Sequence, residues 1–180
     1  MRILGLCGSL RAESSNMALL RGLAEVAPMG MDLRLRTPAG LPLFSPDLEG
    51  PPAAQAVEAF AAEVGAADGM VIACPEYVHA LPGAFKNALD WLVSRDEIIG
   101  KPIALLHATH RGADVARQLH LVLGTLSERF WPDLEARFHL MRQTPDEISA
   151  HLRMPVNRQI LQQFLSDFTG RIQTRGDVGE

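Results

Sequence analysis

As far as Leu126, short apolar runs too brief for helices alternate with stretches of helical periodicity. Ile3–Cys7, Met70–Cys74 and Ile103–Leu106 are nearly all apolar, as strands covered on both faces are. Met31, Leu33 and Leu35 alternate with Asp32, Arg34 and Arg36, which predicts a strand with one wetter face. Between these runs the apolar residues fall at helical spacing: Met17, Leu20, Leu23, Ala24 and Ala27; Val57, Phe60, Ala61 and Val64 in 53–66; Phe85, Ala88, Leu89 and Leu92; and Leu119, Val122, Leu123 and Leu126 in 115–126. Such alternation leaves little choice. The strands must lie parallel, with right-handed crossovers and helices on both faces. In such sheets ligands bind at the carboxyl ends of the strands. The loops after strands one, three and four all leave from that edge.

The end of the chain is less legible. Phe130-Trp131-Pro132 and Phe138-His139-Leu140 are both candidate pieces of a last, fifth strand. Thr144-Pro145-Asp146-Glu147 reads as a helix N-cap followed by proline and acids in the first turn, Pro155 interrupts that helix, and Ile160 to Ile172 form a closing one. One domain is expected over residues 1–173, with 174–180 a frayed tail. No export leader or span-length apolar stretch is read from the sequence. Cys7 and Cys74, the two cysteines, each end an apolar run with no disulfide or zinc spacing, so a reducing cytoplasm is expected. The net charge of -4 argues against nucleic acid as a main partner.

The segment Gly8 to Asn16, GSLRAESSN, follows the first strand and leads into the first helix. A helix start offers free N–H groups and the positive end of a dipole. Ser9, Ser14 and Ser15 add hydroxyls, Asn16 an amide, and Arg11 a permanent cation with a forked donor set. That inventory suits a terminal phosphate monoester. It also suits an ordinary capped helix, for which Ser15 or Asn16 alone would serve. The segment lacks the Gly-Lys-Ser/Thr end of a P-loop and the spaced glycines of a dinucleotide fingerprint. A second informative stretch, PEYVHALPGAFKNALDWL, follows the third strand, with Pro82 suited to a first helical turn. The Pro/Gly-punctuated loop 37–52 either serves function or wraps the surface and buries Leu41, Leu43 and Phe44.

With these stretches the chain resembles the NADPH-dependent FMN reductase family, the flavodoxin-like group that includes quinone, azo-dye and chromate reductases. The resemblance is carried by Gly8-Ser9-Leu10-Arg11 with Ser14 and Asn16, by Pro75-Glu76-Tyr77 with Pro82-Gly83 and Lys86 to Trp91, and by LPLFSPDL at Leu41 to Leu48. It runs from the N-terminus to about Leu126. It implies a flavodoxin-like three-layer sandwich: a five-stranded parallel sheet with helices on both faces. It further implies FMN as cofactor, NAD(P)H as co-substrate, a quinone-like small oxidant, and a homodimer or homotetramer, with Trp91 and Arg95-Asp96-Glu97 as interface candidates. On this reading Ser9, Arg11, Ser14, Ser15 and Asn16 hold the ribityl phosphate. Pro75, Glu76, Tyr77, Val78 and His79 lie at the flavin ring, joined by Thr109 and His110 from the third loop. The implied reaction needs no protein acid or base, so no catalytic residue and no metal ligand is assigned.

Two stretches depart from the family's pattern. Val78-His79 stands where Asn-Gly is usual, and His107-Ala108-Thr109-His110-Arg111-Gly112 replaces a Gly-Gly-containing loop. His79 or His110 either contacts the reactive face and makes turnover pH-dependent, or is an exposed loop histidine. Two further readings compete with the reductase: an electron carrier of flavodoxin type, and a family member with weakened flavin binding that acts as a binding or regulatory module.

Overall fold

A computed structural model describes residues 1–48, 55–109 and 112–174. Five strands, β1 (Arg2–Cys7), β2 (Asp32–Arg36), β3 (Gly69–Ala73), β4 (Ile103–His107) and β5 (Phe130–Arg137), pair in the order β2-β1-β3-β4-β5. Every pairing is parallel. The helices are α1 (Ser15–Glu25), α2 (Gln55–Ala66), α3 (Gly83–Asp90), α4 (Ala113–Leu126), α5 (Pro145–Arg153) and α6 (Pro155–Thr174). This is the parallel sheet with helices on both faces expected from the alternation, and the three-layer flavodoxin-like sandwich that the resemblance implies.

Strand periodicity divides the core. Ile3, Cys7, Val71, Ala73, Ala104 and Leu106 face one way, against Leu19, Leu20 and Leu23 of α1 and Leu161, Phe164 and Phe168 of α6. Leu4, Leu6, Met70, Ile72, Ile103 and Leu105 face the other, against Phe60 of α2, Phe85 and Leu89 of α3, and Leu119 and Leu123 of α4. Each fully buried leucine or phenylalanine contributes about 1.5–3 kcal/mol. The central strands β1, β3 and β4 are therefore continuous apolar runs, while β2 at the edge stays half-wet.

Several sequence readings are refined. Only the first candidate piece of the last strand lies in β5. Phe138 and Leu140 lie just past it and continue the bonding to β4, their N–H groups donating to the carbonyls of His107 (2.8 Å) and Ala108 (3.2 Å). The β4–β5 register shifts between Ile103 and Leu105, next to Trp131-Pro132, and Pro132 has no N–H to give. The Thr144 capping box and the break before Pro155 stand as expected, and Pro155 itself opens α6. Pro82 is the N-cap of α3, one place before its first turn. The α1 cap is Ser14, not Ser15 or Asn16, because Ser14 keeps an extended backbone while Ser15 is already helical. Thr174 closes α6; 175–180, the rest of the expected tail, fall outside the described residues.

The long loop after β2 is held down by α3. Asn87 and Trp91, one helical turn apart, donate from Nδ2 and Nε1 to the carbonyl of Pro42, both at 2.8 Å. Asn87 Oδ1 accepts from Phe44 N at 2.8 Å, and Phe44 meets the Trp91 ring edge-on at 5.1 Å. Leu41 packs against the core, but Leu43 is 83% exposed, so the loop wraps only part of its apolar set. Trp91 is 3% exposed and belongs to the interior of its own chain. Arg95 pairs with Glu58 of α2 at 2.6 Å. These contacts account for two of the residues expected at a subunit interface.

Candidate functional site

Three loops meet beyond the carboxyl edge of the sheet, beside the β1/β3 junction where strand order reverses. In the first loop Gly8 donates to the Ala73 carbonyl at 2.8 Å, extending the β1–β3 ladder by one residue. A Cβ on Gly8 would lie 2.6 Å from Cys74 Sγ and 3.1 Å from Cys74 Cα, so only glycine lets the two loops approach this closely. Ser9 is 2% exposed; its Oγ accepts from Arg11 N at 3.1 Å and lies 3.4 Å from the Tyr77 hydroxyl. Ser14 Oγ accepts from Met17 N at 3.4 Å. Asn16 is 7% exposed, and its Oδ1 is buried with no hydrogen-bond partner. Ser15 is half-buried in the first turn of α1. Arg11 is exposed and makes no ion pair among the described residues.

An exposed guanidinium with no ion pair among the described residues, the hydroxyls of Ser9 and Ser14 and a helix start stand side by side, all of them donors. They fit a phosphate group. The thiols beside them do not offer a nucleophile: burial pushes both Cys7 and Cys74 upward from the usual thiol range.

The second loop turns sharply. Tyr77 and Ala80 exchange both backbone hydrogen bonds, at 3.0 and 3.1 Å, around the two-residue turn Val78-His79. Both central residues have positive φ, 52° and 60°, as in a type I′ hairpin turn, where Asn-Gly is favoured. A β-branched residue at positive φ is an outlier, and such a position costs on the order of 1–3 kcal/mol. Val78 is 95% exposed, and Tyr77 is half-exposed rather than packed in the core.

What holds this turn comes from α4. Glu76 Oε2 accepts from Val115 N at 3.0 Å and so caps α4, whose own N-cap, Gly112, has no side chain to do it. His79 Nδ1 lies 2.7 Å from Asp114 Oδ2 and 3.7 Å from Glu76 Oε1. Gln118 brackets the turn, donating from Nε2 to the His79 carbonyl at 2.9 Å and accepting at Oε1 from Leu81 N at 3.1 Å. Asp114 also pairs with Arg117. The hydrogen bond from His79, with help from Arg117, holds its carboxyl below the usual range. Glu76, His79 and Asp114 have ligand atoms within 4.8 Å of one another. Asp114, in the first turn at the positive end of α4, already pairs with Arg117 and His79. Asp114 and Gln118 were not singled out from the sequence. The available signals were the bare Gly112 cap and the spacing that puts 114 and 118 on one helix face.

In the third loop Thr109 is half-buried near Gly112, whose φ is 103°. His110 lies outside the described residues. His107 does not reach out to the site: it is buried at the end of β4 with Nε2 3.0 Å from Glu135 Oε2. Burial, with Arg137 nearby, lowers its pKa, against the pull of Glu135. In the unfolded chain the imidazole titrates near ~6.5. As pH falls through that value, the unfolded state takes up a proton the folded state refuses, so stability drops on acidification and levels off only below the folded pKa. Urea unfolding at pH 7.5 and 5.5 is expected to show a smaller pH difference in His107→Gln than in the wild type; equal differences would remove His107 as the cause.

The model of the NADPH-dependent FMN reductase family matches residues 1–135. An NAD(P)H-dependent FMN reductase of Pseudomonas aeruginosa is 38% identical over 124 residues, 67% of each chain. A quinone reductase of Escherichia coli is 40% identical over 111 residues, 58% of each chain. Among solved structures, the flavoenzyme NAD(P)H:(acceptor) oxidoreductase FerB of Paracoccus denitrificans superposes with a TM-score of 0.70 at 22% identity, covering 96% of this chain and 97% of its own, a likeness of fold. Matched from the phosphate-suited loop through the strained turn to the end of β4 and beyond, the chain belongs to the NADPH-dependent FMN reductase family, as an FMN-dependent NAD(P)H oxidoreductase of flavodoxin-like fold.

Proposed function

We propose that this enzyme passes hydride from NAD(P)H through bound FMN to a quinone-like oxidant, with the first loop on the ribityl phosphate and the second and third at the ring. The observation that carries this is exposed Arg11, with no ion pair among the described residues, beside the N-terminal start of α1. FMN, when bound, supplies the hydride-accepting and hydride-donating centre. Arg11, Ser9, Ser14, Ser15 and Asn16 bind and orient the phosphate. Tyr77 covers apolar ring surface, and its 3.4 Å approach to Ser9 keeps the phosphate and ring loops in one unit. Pro75, Glu76, Val78 and His79 offer backbone groups to the ring's polar edge, with Thr109 on the third side. No side chain is assigned a proton. The quinone reductase named among the relatives supports the choice of oxidant.

The one sheet with both helical layers supports a single domain over 1–173. Two buried free thiols support a cytoplasmic setting. Among the described residues no helix is long and apolar enough to cross a membrane. A homodimer or homotetramer is supported by exposed Val93 and Leu121, which flank a largely apolar groove between α3 and α4.

Charge-assisted contacts are worth roughly 1.5–3 kcal/mol each. Arg11→Ala is therefore expected to weaken FMN binding at least ~10-fold, about 1.4 kcal/mol, in a flavin-fluorescence titration. Retained affinity would take Arg11 off the phosphate.

A further inference from the structure

We propose that Gln118 is a positioning residue: with the His79–Asp114 pair it latches the Val78-His79 turn in its strained conformation and so holds the second loop where flavin needs it. The proposal rests on the flavin reading above for its purpose, but not for the latch itself. Residues at disfavoured backbone angles persist only where surrounding contacts over-determine them. Here the turn's own residues supply little. Val78 is exposed, and among the described residues His79 is fixed only through its ring and its carbonyl. The contacts that fix it come from one face of α4, 35 to 39 residues away in sequence.

Gln118 is suited to this because one amide serves both sides of the turn. Its Nε2 takes the carbonyl of His79, the second central residue, and its Oε1 takes the N–H of Leu81, just past the hairpin. A side chain with a donor alone, or an acceptor alone, leaves one of those groups without a partner. The Glu76 cap on Val115 N anchors the residue before the hairpin to the same helix end. Tyr77, between these anchors, is thereby held within reach of Ser9. The latch thus joins the ring loop to α4 and, through Tyr77, to the phosphate loop.

If the latch compensates for the turn's residues, a turn that adopts positive φ unaided should not need it. Asn-Gly is such a pair. The test uses four full-length proteins: wild type, Q118A, V78N/H79G and V78N/H79G/Q118A. Amide exchange at Ala80, whose N–H bonds Tyr77 across the turn, is read without flavin. FMN affinity is read separately by titration. Q118A is expected to raise Ala80 exchange and weaken FMN binding, each by about tenfold. In the V78N/H79G background the same substitution is expected to change both by less than about twofold. Unchanged Ala80 protection in Q118A overturns the latch. Unchanged FMN affinity in Q118A overturns its positioning role, and an equal loss of affinity in both backgrounds shows that Gln118 acts other than through the turn. Because the exchange measurement needs no FMN, failure of the latch and failure of the flavin reading appear as separate results.

Discussion

Replacing Trp91 by alanine is expected to lower the stability of this protein by about 3–5 kcal/mol, the range for truncating a large buried aromatic. Folding stability of such domains is only about 5–15 kcal/mol in all, so the variant should unfold at ~6–20 °C lower temperature. Trp91 fills the interior at 3% exposure, stands perpendicular to the Phe44 ring, and donates to the Pro42 carbonyl. Its removal leaves a cavity, withdraws one of the two donors on that carbonyl and removes the ring contact with Phe44. Trp91→Phe keeps most of the packing and loses only the N–H, so it should cost nearer ~1–2 kcal/mol. Urea unfolding of the three proteins checks this. A loss below ~1 kcal/mol for the alanine variant would mean that the loop is not seated on Trp91.

The clamp also explains part of the second sequence motif in structural terms. In the run Lys86 to Trp91, Asn87 and Trp91 fasten a neighbouring loop rather than touch the proposed site. Their spacing of four was visible in the sequence, but their shared acceptor, 45 and 49 residues earlier, was not.

This contrast runs through the molecule. The central strands were legible because burial on both faces forces continuous apolar runs, and α1, α3 and α4 because each buries a single stripe. β5 was not, because it is an edge strand with exposed Pro132 and Asp133 and an irregular register, so neither period survives in it. In the site, the first loop could be read as a unit because its groups are contiguous, from Gly8 to Asn16. The second could be located but not understood. Val78-His79 stands out as a departure from the resembled family, yet the residues that hold the turn, Asp114 at the His79 ring and Gln118 at its carbonyl, lie on a distant helix. Side chains that act across 35 or more residues leave no local pattern to find.

The central claim is that the first loop grips a phosphate, and the most direct measurement of it compares FMN with riboflavin, which carries the same ring and ribityl chain without the phosphate. A phosphate near neutral pH carries about −1.5 to −2 charges and three acceptor oxygens. Arg11, the free N–H groups at the start of α1, the Ser9 hydroxyl and the Asn16 amide N–H are the donors to meet it. Two charge-assisted contacts at roughly 1.5–3 kcal/mol each already amount to a factor of at least ~100. Titrated side by side by flavin fluorescence, FMN is expected to bind at least ~100-fold more tightly than riboflavin, and in Arg11→Ala the gap should narrow by ~10-fold or more through loss of FMN affinity alone. Equal affinity for the two flavins in the wild-type protein would contradict the account, since the loop that organises it would then be holding nothing that riboflavin lacks.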